Sequence, residues 1–150
     1  MATRRKGRES SLQILYQIEI LLQQKKDAKD TPKISRAHAA DAIQVFFKHF
    51  DVPKEVLDHT TALVHGILLN SERIDELISR HSPKWKIERM ALVDRNVLRI
   101  ACYEFLFAPD LSPSIIIDEA VEVAKRFGSD KSASFVNGIL DSIGSEIRKK

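Results

Sequence analysis

The stretch LSPSIIIDEAVEVAKRFGSDKSASFVNGILDSIGSEI, residues 111–147, reads as two helices with its own punctuation. Ser112 stands where a helix N-cap is expected, Pro113 fits the first turn, and Gly128 falls at the C′ position of the same helix. Asp118 and Glu119 occupy its first half and Lys125 and Arg126 its last turn, the charge order that the helix dipole favours. The next helix, about Ser132–Lys149, carries Phe135, Val136, Ile139, Leu140, Ile143 and Ile147 at helical spacing. It also tolerates Gly138 and Gly144. Each costs roughly 1 kcal/mol relative to alanine, so packing or a ligand is expected to need a close approach at these positions.

The same 3.6-residue period extends upstream. Met90–Phe107 is apolar enough, through Leu92, Val93, Val97, Leu98, Ile100, Ala101, Phe105 and Leu106, to predict the most buried helix. The segment RHSPKWKIER, residues 80–89, breaks the pattern at Pro83 and is the expected internal boundary, with Trp85 and Ile87 packed down on the body. Before it come a short helix over about 71–79 and a longer one over about 53–70, opened by Pro53. A helix over about 35–50, with Ser35 as cap, buries Ala39, Ala42, Ile43, Phe46, Phe47 and Phe50. Residues 23–33 form a polar linker containing Pro32. The first helix spans about Glu9–Gln24, with Ile14, Leu15, Ile18, Leu21 and Leu22 on one face. No repeat and no sustained strand-like alternation is present. The expected fold is all-α, about seven helices in two small bundles within one domain, 1–82 and 83–150.

Composition narrows the class. An apolar fraction of 43% argues against disorder, and 30% charged residues argues for a soluble surface. No window reaches the ~18 uninterrupted apolar residues that span a bilayer. A lone cysteine, Cys102, fits a reducing compartment, so a cytoplasmic location is expected. Net charge is only +3, but it is unevenly spread. Arg4, Arg5, Lys6 and Arg8 crowd the start and Arg148, Lys149 and Lys150 the end; without these seven the chain carries more acids than bases. Basic ends on an acidic body predict a local anion-binding site.

Catalytic motifs for nucleotide, metal, thiol or acyl chemistry are absent from the sequence. His38, His49, His59, His65 and His81 are scattered, and Cys102 lies on an apolar helix as a packing residue. The expectation is a non-enzyme without metal or cofactor. The basic start lies at the positive end of the first helix, where cations are slightly unfavourable unless an anion accompanies them. Gly7 is expected to make this start an irregular arm. RNA phosphate fits the site, and single-stranded RNA also needs aromatic stacking partners. Tyr16 reads equally well as a stacking residue or as core with an exposed hydroxyl; the spacing of Phe135 places it in the core.

Three segments in order, RRKGRESSLQILYQIEI, DRNVLRIACYEFL and IIIDEAVEVAKRFGSDKSASFVNGILD, resemble the NusB family of bacterial transcription antitermination factors. The resemblance implies an all-α fold of two small bundles and a non-enzyme that binds boxA RNA of ribosomal RNA operon leaders. It further implies partnership with the ribosomal protein NusE within an RNA polymerase antitermination complex. The family's arginine-rich motif falls on Arg4, Arg5, Lys6 and Arg8, its RNA-facing aromatics on Tyr16 and Phe135 with Asn137 nearby, and its acid toward NusE on Asp94. Lys131 stands where an acid is common, which bears on phosphate contact, and Gly7 where alanine is usual. The RNA surface is thus expected to involve both the basic start and the stretch Lys131 to Asn137. A helical protein-interaction module without direct RNA binding is the alternative, and the apolar content leaves room for a homodimer.

Overall fold

The computed structural model describes the backbone of residues 2–24 and 36–148, and the side chains of residues 4–20 and 40–148. The Ser35 cap, the polar linker from 25 onward, the burial of Leu21, Leu22 and Ala39, and Lys149 and Lys150 lie outside what is described. Among the described residues there are seven α-helices, one short 3-10 turn and no strand. None of the helices is long and apolar enough to cross a membrane. Two compact units divide the chain, Met1–Leu69 and Asn70–Lys150.

The first unit contains α1 (Ala2–Gln24), α2 (Arg36–His49) and α3 (Lys54–Leu69). Each packs on the other two, α1 most extensively on α3. Leu12, Ile14, Leu15 and Ile18 of α1 meet a core that also contains Ile43, Phe46, Val56, Leu63, Val64 and Ile67. The Pro53 carbonyl accepts the amides of Val56 and Leu57, so the proline starts α3 without a donor being lost. Phe50, expected in the core, is outside it: it is exposed and stacks its ring on buried Phe46, centroids 4.6 Å apart.

The second unit contains α4 (Ser71–Arg80), the 3-10 turn Ile87–Arg89, α5 (Leu92–Phe107), α6 (Pro113–Phe127) and α7 (Ser132–Ile147). Packing divides the chain at Leu69 and Asn70 rather than in the proline loop at 80–89. Ile74, Leu77 and Ile78 of α4 are buried, and α4 lies against α5 and α7. Arg99 of α5 grips Asp75 through two N–H···O bonds of 2.9 and 3.1 Å, and His81 meets Ser142 and Glu146 of α7. Pro83 therefore marks a turn inside this unit.

As the hydropathy pattern predicts, α5 is deeply buried, lined by Val97, Leu98, Ile100, Ala101, Cys102 and Phe105. The Val, Leu, Ile and Phe side chains among them each contribute ~1.5–3 kcal/mol on burial. Ser112 caps α6 by accepting the Ile115 amide at 3.3 Å, with Pro113 in the first turn. Gly128 ends α6, yet in extended rather than left-handed backbone. A Cβ there would lie 2.4 Å from Ser132 Oγ and 2.8 Å from the Ala124 carbonyl, so the tight turn into α7 excludes a side chain. Gly144 meets the expectation of close packing: a Cβ would stand 3.2 Å from Phe105 Cζ.

Arg148 is not part of a solvated basic tail. Its guanidinium donates to the carbonyls of Phe105, Ala108 and Leu111, each at 3.0 Å, and to that of Glu104 at 3.4 Å. Carbonyls at a helix C-terminus run short of intrahelical donors, and this one planar cation adds donors to the end of α5 and the loop after it, where Glu104 and Ala108 also accept backbone amides. Arg148→Ala is expected to destabilise the protein by ~2–3 kcal/mol in urea denaturation, with Lys restoring little because one ammonium cannot span four carbonyls. Burial, and secondarily the negative charge of Asp75, push the Cys102 thiol well above its ordinary range. Native protein is expected to resist iodoacetamide at mildly alkaline pH and to take up one equivalent per chain when denatured, read by mass spectrometry.

Candidate nucleic-acid interface

The basic run belongs to α1 itself, which begins at Ala2, and does not form an arm ahead of Glu9. Gly7 explains the difference. It is buried against α3 so closely that a Cβ would stand 2.5 Å from Cδ2 and 3.1 Å from Cγ of the His59 ring. The glycine thus seats the first turns of α1 on its neighbour instead of loosening them. Successive residues on a helix turn by ~100°, so the buried stripe Gly7, Ser11, Ile14, Ile18, flanked by Arg8, Leu12, Leu15 and Glu19, fixes what faces outward.

Arg5 and Lys6 are exposed and Arg4 half-buried, whereas Arg8 is only 3% exposed. Three of the four expected cations thus reach solvent and the fourth is enclosed. Tyr16, 39% exposed, lies at nearly the same azimuth as Arg5, about three turns or ~16 Å further along. Partly exposed Glu9 and Gln13 lie between them, so the stripe is polar and not purely positive.

In the second unit Lys131 is the exposed residue at the N-cap of α7, its carbonyl accepting the Phe135 amide at 3.1 Å. Phe135 is half-buried on the same face, one turn on, and Gly138 follows on that face with nothing within 4 Å of a Cβ built upon it. Asn137 is exposed but lies ~200° around the helix from Phe135, so the two side chains leave opposite sides of α7. Asp94 sits in the first turn of α5, where the dipole favours an acid, and its Oδ1 is buried with no hydrogen-bond partner among the described residues.

Trp85 is the residue that the sequence reading misplaces. Ile87 is buried as expected, but Trp85 is 55% exposed and meets the Phe135 ring edge-to-face, centroids 6.4 Å apart at 87°. Ser82, Pro83, Lys84 and Trp85 form a turn closed by the Trp85 amide on the Ser82 carbonyl at 3.1 Å, with proline in its favoured second place. Ser82 Oγ bonds the Ile78 carbonyl at 2.8 Å and anchors the turn to α4. Lys84 and Lys86 flank Trp85 in sequence and are exposed. A tryptophan between two lysines in a proline turn was the available signal: no helical period ties it to a core.

The NusB family model matches residues 5–145. A transcription antitermination protein NusB from Desulfatibacillum aliphaticivorans is 39% identical over 150 residues, covering 100% of this chain and 95% of its own length. One from Bdellovibrio bacteriovorus is 42% identical over 147 residues, covering 96% of each chain. The structure of T. maritima NusB superposes with a TM-score of 0.76 at 37% identity, over 95% of this chain and 91% of that one. A chain from a crystal of antitermination factors NusB and NusE with double-stranded RNA is 22% identical, with a TM-score of 0.73 over 97% of this chain and 98% of that one, which shows a shared fold. The matched span and full-length identity leave one assignment: this chain belongs to the NusB family.

Proposed function

We propose that this protein is a cytoplasmic transcription antitermination factor that works by binding. It takes up boxA-type single-stranded RNA of ribosomal RNA operon leaders together with the ribosomal protein NusE, inside an antitermination complex on RNA polymerase. The observation that carries the reading is the solvent face of α1, where Arg4, Arg5 and Lys6 stand on a rigid helix three turns from exposed Tyr16. Cations on the first turns of a helix are slightly unfavourable alone, and a phosphate backbone reverses the sign. Relatives at about 40% identity bear the antitermination name, and a chain of this fold occurs in a crystal with NusE and RNA.

In this reading Arg4, Arg5, Lys6 and Lys131 neutralise phosphates, Tyr16 and Phe135 take bases, Asn137 lies at the margin, and Asp94 faces NusE. Arg8 has a different part: enclosed in the fold, it helps hold α1 in place so that its neighbours are presented. The protein performs no catalysis; its one thiol is buried and kept protonated.

Joint replacement of Arg4, Arg5 and Lys6 by alanine is expected to weaken boxA RNA binding and to flatten the plot of log affinity against log salt by ~2, since each single-strand phosphate contact contributes ~0.7. An unchanged slope in filter binding refutes the assignment. Arg8→Ala should instead lower stability by ~1–3 kcal/mol, as loss of a buried partnered side chain does. Gly138 has no packing reason to be glycine, so Gly138→Ala should raise stability by up to ~1 kcal/mol while weakening RNA binding. Equal affinity would place Gly138 outside the RNA footprint.

A further inference from the structure

We propose that Trp85 is a base-stacking residue, forming with Phe135 a two-ring platform for single-stranded RNA whose phosphates are met by Lys84, Lys86 and Lys131. The inference rests on the RNA-binding reading above and deepens it: it assigns a site to the proline turn, which the family resemblance leaves without a role.

Trp85 is over half exposed although it is the chain's single tryptophan and its largest side chain. Large aromatic surface in water is unfavourable, and exposed aromatics rimmed by polar groups mark binding surfaces. Nor is the ring exposed through slackness. The turn is closed by the amide of Trp85 on Ser82, and the Ser82 hydroxyl is tied to α4 and also lies 3.3 Å from the Trp85 carbonyl. The edge-to-face contact with Phe135 sets the indole further, and such a pair occupies at most one face of either ring. A stacking platform needs that combination of held ring and free π-face.

Charge selects the occupant. Lys84 and Lys86 flank the tryptophan in sequence, and Lys131 stands one turn from Phe135 on the same side of α7; all three are exposed. Aromatics interleaved with cations suit a single strand, whose bases stack while its backbone tracks the positive groups. Beyond Phe135 the face continues into Gly138, where the helix surface is open and a strand can approach the backbone. The other exposed aromatic described in this unit, Phe107, differs: Tyr103 lies 5.0 Å from it and Arg73 stands over its ring at 5.9 Å.

Because Trp85 is the only tryptophan, its emission reports on the site directly. The test titrates the full-length chain with a fluorescein-free boxA-type RNA oligonucleotide, with and without NusE, following tryptophan emission and acrylamide quenching. A labelled copy of the oligonucleotide gives anisotropy in parallel. Binding should quench the emission and shield the indole from acrylamide. Trp85→Ala should weaken binding by roughly 5- to 150-fold, the range that one stacked base represents, whereas Trp85→Phe should keep most of the affinity. Thermal melting of both variants should stay near that of the parent, since the ring is exposed. Saturated anisotropy with unchanged Trp85 emission and shielding overturns the proposal while the RNA-binding reading stands. Absence of RNA binding by the parent chain, alone and with NusE, overturns both. An emission change produced by NusE without RNA, and unaltered when RNA is added, also overturns it, since the platform would then be a protein contact.

Discussion

The close approach of Gly7 to the His59 ring governs how the first unit presents its charge. A helix seated on a neighbour has one rotational setting, and the setting of α1 is fixed where backbone meets imidazole with no Cβ between them. From that contact the buried stripe through Ser11, Ile14 and Ile18 follows by helical geometry, and so does the outward direction of Arg5, Lys6 and Tyr16. The same setting encloses Arg8. Had the first turns been a loose arm, the cations would sample many orientations and each phosphate contact would carry an ordering cost. On a packed helix much of that cost is met when the protein folds.

Much of the fold was legible because helix signals are local. The cap at Ser112, the proline after it, the stop at Gly128 and the apolar density of α5 are each decided by a few neighbouring residues, and the structure places them as read. Tertiary decisions were less legible. Periodicity shows which face is inward but not that Arg8 lies on it or that Arg148 turns back to the end of α5. A proline marks a break in backbone pattern and says nothing about which side of the break packs with which, so the division of units was read too late in the chain.

The candidate site divides along the same line. Residue types suited to RNA could be picked out by charge and aromaticity, and Arg5, Lys6, Tyr16 and Lys131 are accessible as that reading needs. What spacing could not supply was orientation. Asn137 and Phe135 are neighbours in sequence and leave opposite sides of α7, while Trp85, distant in sequence, meets Phe135 ring to ring. Long-range proximity of this kind depends on the packing of α4 and α7, to which no local pattern refers.

The guanidinium of Arg148 has a consequence for the order of events during synthesis. The carbonyls it serves belong to residues 37 to 44 positions earlier, so the end of α5 gains this cation only once α6 and α7 have been made, although Glu104 and Ala108 already accept the amides of Ala108 and Leu111. Until then water takes the guanidinium's place, and α5 has only part of its cover. The three helices of the first unit pack on one another. A growing chain can therefore finish its cationic helix early and close the unit bearing Phe135 last. Newly made protein then completes the surface bearing Arg5, Lys6 and Tyr16 before the one bearing Lys131 and Phe135.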